Sequence, residues 1–266
     1  MAVDKSFLIK KIQKKTDMIV AYCAFTGMPL VVCDPETFND QVWIFNKEAQ
    51  LQEFAKKYTE KKILLRGVQY KNAQFLQFFS SLFTMGVNEL VFVDDAGNNT
   101  AIELQCLVRR QDYSKLKKEQ VPITNPELQL TGMYFMQEAS RPVPNEEKEN
   151  LKDLEEELAA NMVKGKYLVG IELNDGPESD AEKLKNKLYK LPILKNKNGD
   201  VLQPIFTDPV EFQKFAKGKN LKAIGVPFAD LAKLLVKDAK GFMLNPAGYH
   251  ILMPKELLVG LNKRFE

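Results

Sequence analysis

The chain has 266 residues, 45% of them apolar and 17 of them Phe, with a formal net charge of +3. That apolar share is enough for packed cores, which excludes a wholly disordered chain, and the near-neutral charge predicts no nucleic-acid partner despite a local basic face at Lys10, Lys11, Lys14 and Lys15. Phe7-Leu8-Ile9 is too short for a signal core and no apolar run approaches a membrane span, so neither export nor a membrane is expected.

The segment from Lys5 to about Lys15 has a helical pattern and leads into a strand at Met18-Ile19-Val20-Ala21-Tyr22. Asn46 can cap a helix that follows the strand Val42 to Phe45, and a second helix carries Phe75, Leu76, Phe78, Phe79, Leu82 and Phe83. Residues 113–144 read as a proline-containing linker in which Met133-Tyr134-Phe135-Met136 is apolar enough to dock as an added strand. Leu151, Leu154, Leu158 and Met162 then recur at helical spacing, which makes the acidic run from Glu146 to Glu157 the wet face of a helix. The apolar strand Tyr167 to Ile171 follows, and Asn198-Gly199 supplies the pair that suits a two-residue hairpin turn. In Thr207-Asp208-Pro209-Val210-Glu211 an oxygen-bearing cap, a first-turn proline and an early glutamate mark a helix start. A short strand to Gly225 leads to a helix with Phe228, Leu231, Leu234 and Leu235 on one face, ended by Gly241, and strands at Phe242 to Leu244 and Ile251 to Met253 close the chain around Ala247-Gly248.

These elements occur twice. Val42-Trp43-Ile44-Phe45-Asn46 followed by Gln52-Glu53-Phe54-Ala55-Lys56 answers to Gln203-Pro204-Ile205-Phe206-Thr207 followed by Gln213-Lys214-Phe215-Ala216-Lys217. Gly67-Val68-Gln69-Tyr70 answers to Gly225-Val226-Pro227-Phe228, Gly86 to Gly241, and Asp94-Asp95-Ala96-Gly97 to Asn245-Pro246-Ala247-Gly248. The expected fold class is therefore α/β of the mixed α+β kind: two tandem similar domains over residues 1–112 and 145–266, each a mixed sheet with helices packed on it.

The second copy resembles the SseB-type family, named for enhanced serine sensitivity. The likeness rests on Leu191-Pro192-Ile193, Gly199-Asp200, Pro204-Ile205-Phe206-Thr207-Asp208, Phe212, Phe215, Gly225-Val226-Pro227-Phe228 and Gly241-Phe242-Met243-Leu244-Asn245-Pro246, in that order. The first copy is a divergent match, with Glu89 to Asp94 in place of the Gly-Phe-Met-Leu-Asn-Pro stretch. The resemblance implies a fold and no particular reaction.

Chemical motifs are sparse. His250 is the only histidine and aligns with Asn99 at a hairpin edge, which leaves no two-histidine metal site and no placed triad. Scattered glycines offer neither a dinucleotide nor a P-loop fingerprint, so no cofactor and no metal is expected. Cys23, Cys33 and Cys106 sit among apolar neighbours and read as reduced core thiols, which points to the cytoplasm. A shared ligand site would lie at the strand ends both copies retain: Asn46 with Thr207 and Asp208 at a helix start, and Asp94 with Asn245 after the last buried strand. Phe75, Phe79 and Phe83, four apart on one helical face, are candidates for an interface with the other copy or with a second subunit in a homodimer. The expected function is a noncatalytic module binding a protein or a small molecule; the alternative is an enzyme acting on a small metabolite, with its site in the crevice between the copies.

Overall fold

The computed structural model describes residues 5–265. The chain forms two compact units, one running to Gln120 and resumed over Gln129–Leu154, the other comprising Val121–Leu128 and everything from Glu155 onward.

Half one runs α1 (Lys5–Gln13), β1 (Asp17–Cys23), β2 (Met28–Pro29), β3 (Val31–Cys33), β4 (Asp40–Phe45), α2 (Glu48–Glu60), β5 (Leu65–Lys71), α3 (Asn72–Thr84), β6 (Glu89–Val93), β7 (Asn99–Glu103) and α4 (Leu104–Leu107). Helices α5 (Pro126–Ala139) and α6 (Leu151–Lys164) follow. Half two then has β8 (Lys166–Leu173), α7 (Asp180–Lys185), β9 (Tyr189–Lys190), β10 (Leu194–Lys195), β11 (Val201–Phe206), α8 (Pro209–Ala216), β12 (Lys222–Pro227), α9 (Phe228–Leu234), β13 (Ala239–Leu244), β14 (Ile251–Pro254) and α10 (Lys255–Phe265).

The two halves share one topology. Half one orders its long strands β5-β1-β4-β6-β7, with β2 beside β1 and β3 beside β4; half two orders them β12-β8-β11-β13-β14, with β9 beside β8 and β10 beside β11. In each the central pair, β4 with β6 or β11 with β13, is parallel, and the other pairings are antiparallel. Strand β6 reads Glu-Leu-Val-Phe-Val and is buried along its whole length, as expected of a parallel strand covered on both faces. Pro204 lies in a central strand, yet β11 pairs with β8 only at Ile205 and Phe206, so no ladder bond to β8 is lost where proline lacks its N–H.

Strand register corrects the residue-level match between the copies. Ile19 faces both Phe45 and Gln69, whereas Leu168 faces both Phe206 and Gly225. Gly225 therefore takes the place of Gln69, and Gly67 falls two residues away, opposite Ala21. Gly241 is no helix terminator either: α9 ends at Leu234, and Gly241 lies inside β13, opposite Pro254. The Asn198-Gly199 turn is longer than two residues. Asn196 N–H donates to the Asp200 carbonyl and Gly199 N–H to the Asn196 carbonyl, and Gly199 alone has positive φ (82°), so one left-handed glycine follows an ordinary turn.

Met133 to Met136 is helical, within α5, where the sequence pattern predicts a strand. The helix nevertheless uses the free edge of β3. The Gln137 amide accepts from Val31 N–H (2.9 Å) and donates to Val31 C=O (3.0 Å), and so stands in for a strand residue. Leu, Met, Gln and Glu are strong helix formers, and a short apolar run cannot be told from a strand by periodicity alone.

In half one Phe75, Phe78 and Phe79 are buried, Phe79 making tilted ring contacts with the other two, and Phe78 is tilted against Tyr70 with centroids 4.4 Å apart. Phe83 is half-buried, and the exposed apolar side chain of this helix is Leu76, 67% accessible. Of the cysteines only Cys23 is a core thiol; Cys33 and Cys106 are free and exposed, the apolar alternation around them having misassigned their face. Among the described residues no helix is long and apolar enough to cross a membrane, and no group of three His, Cys, Asp or Glu could hold a metal ion.

Candidate functional site

Half two brings Thr207, Asp208 and Asn245 together at the carboxyl ends of its parallel strands. All three are fully buried. Asp208 is the N-cap of α8, its Oδ1 accepting from Val210 N–H (2.8 Å) and Glu211 N–H (3.1 Å), while Pro209 takes the first helical position. Thr207 Oγ1 donates to Asp208 Oδ2 at 2.7 Å. The Asn245 side chain holds Thr207 twice, Oδ1 accepting from Thr207 N–H (3.0 Å) and Nδ2 donating to Thr207 Oγ1 (3.0 Å). Asn245 is left-handed at φ 49°, a conformation asparagine tolerates better than most residues, and its carbonyl accepts from Gly248 and His250 N–H. Asn125 closes the cluster by donating Nδ2 to the Thr207 and Lys166 carbonyls.

Charge is buried beside this junction. Glu211 is 1% exposed, bonded to Lys214 at 2.5 Å, and its Oε2 would lie 2.7 Å from a β-carbon at Gly248, so a side chain there would have to displace the carboxylate. The Tyr249 phenol is fully buried, and burial first, then the Glu211 charge, pushes it well above the ordinary tyrosine value. Its hydroxyl sits near the Asn245 side chain, but the geometry falls short of a hydrogen bond, leaving the oxygen orphaned. Tyr249→Phe is accordingly expected to raise the urea midpoint, by about 1 kcal/mol in unfolding free energy, because it removes a desolvated hydroxyl and little else. A loss of similar size would show that the Asn245 contact is a real bond.

Half one builds the corresponding corner from different chemistry. Lys47, not Asn46, occupies the cap position of α2, and it makes no side-chain capping bond; Gln50 Oε1 accepts from Lys47 N–H instead (3.1 Å). Asn46 is set back against the strand end, its Oδ1 and Nδ2 buried without a hydrogen-bond partner. Asp94 does not take the place of Asn245. Its Oδ1 accepts from Ala96 and Asn98 N–H (2.9 Å each) and shapes the β6–β7 turn, with the Asn98 side chain the first cause of its lowered carboxyl pKa. Gln50 Nε2 donates to the Asp94 carbonyl at 2.5 Å, so the turn is tied to α2 through backbone and amide, not through the carboxylate. His250 is exposed, with Nδ1 3.2 Å from the Gly248 carbonyl oxygen.

The amino ends of the same parallel strands differ more sharply. In half one Gln41 and Glu89 are adjacent on β4 and β6, and Gln41 Nε2 donates to Glu89 Oε2 (2.6 Å) and Asp34 Oδ2 (3.2 Å) while Asn39 Nδ2 donates to Glu89 Oε1 (3.3 Å). Tyr134 of α5 donates to Asp40 at 2.6 Å. Burial raises the Asp40 carboxyl pKa, and that bond partly offsets it. Tyr134→Phe should therefore raise it further, read as an upward-shifted midpoint in a carboxyl NMR titration of Asp40. A carboxyl whose folded pKa lies above its unfolded value destabilises the fold above the folded pKa, so the variant should be most impaired near neutral pH and should recover as the pH falls through that value.

In half two register puts Leu202 and Gly241 where Gln41 and Glu89 stand, and this end is an open cavity of 540 Å³. Its apolar surface comes from Leu202, Ala239, Leu252 and Pro254, and its rim from side chains of both charges on three segments. No sequence signal marks it, because its lining residues are scattered from Asn196 to Glu256 and share no spacing pattern.

Residues 147–258, from just before α6 into the first turn of α10, match the family model described as SseB protein N-terminal domain. No curated protein and no solved structure matches the chain.

Proposed function

We propose that this chain, with an SseB-type domain over residues 147–258, is a noncatalytic binding module made of two tandem copies of that domain, the second of which carries a small-ligand site. One observation supports the reading above others. The polar residues at the carboxyl strand ends are spent on holding the β11–α8 junction, whereas the opposite end of half two offers an open cavity with no serine, cysteine, threonine or histidine in its lining. Free, exposed Cys33 and Cys106 fit a reducing compartment and support a cytoplasmic location.

Thermal unfolding against a panel of amino acids, short peptides, nucleotides and simple anions, paired with product analysis of the same mixtures, tests it. A bound ligand at a hundred times its dissociation constant should add about 2.7 kcal/mol to the stability of the full chain, with no product formed. Turnover that is abolished by Asp238→Asn or Lys255→Ala would replace the binding module by an enzyme acting on a small metabolite.

A further inference from the structure

The cavity's charges narrow its ligand. Resting on the binding reading above, we infer that it takes a short zwitterionic peptide, with both free termini recognised and an apolar side chain laid on the floor. Lys240 is held by Asp200 at 2.5 Å, and Asp200 is held in turn by Asn196 at 2.9 Å, so that pair forms part of the wall. Lys237, Lys255, Asp238 and Glu256 remain, and among the described residues none of the four forms an ion pair. Two ammonium groups and two carboxylates around one mouth suit a ligand carrying one charge of each sign. A phosphate or nucleotide would meet the two carboxylates, and a neutral apolar ligand would desolvate four charges without pairing any.

Each terminus has a partner of opposite charge in the lining. Lys255 opens α10, whose first backbone N–H groups have no intrahelical acceptor, so a carboxylate is favoured beside that lysine. Asp238 immediately precedes β13, the strand paired with the one that leads into α10. Leu252, also in the lining, is 48% exposed on a strand, an apolar surface that a ligand side chain would cover. A volume of 540 Å³ is more than a single amino acid fills and leaves room for two or three residues. In half one the matching positions are tied together instead, Asp34 and Glu89 both accepting from the Gln41 amide.

The test is an amide NMR titration of the full chain with leucyl-alanine, N-acetyl-leucyl-alanine and leucyl-alanine amide. Saturable shifts at Leu202, Lys240 and Leu252 are expected with the free dipeptide only. Lys255→Ala and Asp238→Asn should each weaken it about tenfold or more while leaving the unliganded spectrum otherwise unchanged. Equal binding of the capped peptides, no saturation at millimolar concentration, or indifference to both substitutions would overturn the inference while leaving a binding module for some other ligand. Release of free leucine during the titration would instead overturn the noncatalytic reading and leave the site in place.

Discussion

Gly241→Ala should cost half two about 3 kcal/mol of stability or more, through a clash that no side-chain rotation relieves. An added β-carbon would overlap the Met253 carbonyl oxygen and lie 2.8 Å from Pro254 Cα, both backbone atoms of the neighbouring strand. The only escape is to part β13 from β14, which pair from Gly241/Pro254 to Leu244/Ile251. Gly225→Ala is the informative control. Its β-carbon would meet the Ile123 side chain and the Lys166 stem, and both can swing away, so the loss should be well under half as large. Urea unfolding followed by circular dichroism measures both variants. The chain has one Trp, Trp43 of β4, so its fluorescence reports half one; a fluorescence midpoint that fell as far as the dichroism midpoint would show that the damage is not confined to half two. A Gly241→Ala protein as stable as the parent would refute the packing described for this edge. Because Leu252 and Pro254 line the cavity, the same substitution should also abolish ligand binding there.

Asn245→Ala is expected to be nearly as damaging, at about 3 kcal/mol, by two separable mechanisms. The first is loss of the acceptor for the buried Thr207 N–H, which would be left without a partner at a cost of about 1–3 kcal/mol. The second is placing a β-carbon at φ 49° without asparagine's local bonding, a strain of about 1–2 kcal/mol. Asn245→Gly removes the second and keeps the first, so it should recover about 1 kcal/mol relative to alanine. If glycine and alanine proved equally destabilising, the left-handed backbone would not be contributing. If both were neutral, the Thr207–Asn245 bonds would not be holding the α8 junction.

Those two residues show what could be read from sequence and what could not. Asp208-Pro209 announces a helix start because the capping oxygen and the N–H-free proline act within a few residues of each other, and the structure has that cap. Asn245 was recognisable as a turn former, but its hold on Thr207 spans 38 positions and depends on the parallel pairing of β11 with β13, which no local pattern encodes. Asn46 and Asp94 were matched to Thr207 and Asn245 by spacing, and spacing cannot see that half one caps α2 through Lys47 and Gln50 or that its strands are shifted against the motif. The fold class of both halves, a mixed sheet with helices packed on it, was legible because hydrophobic period and turn residues are local signals. The cavity was not, since it arises where Leu202 and Gly241 lack the polar groups that Gln41 and Glu89 supply, a difference visible only once the strands are in register.

The route of the chain between its units has a consequence for synthesis. Val121–Leu128 belongs with half two, yet Gln129–Leu154, which follows it, belongs with half one. As the polypeptide leaves the ribosome, half one is missing its last piece until Leu154 has emerged, by which time the first strip of half two, including the Asn125 that will bind Lys166 and Thr207, is already outside and waiting. No single peptide bond separates the two folding units. A nick anywhere from Val121 to Leu154 would leave at least one of them holding its partner strip by noncovalent contacts alone, so limited proteolysis in that stretch should yield fragments that stay together until denatured.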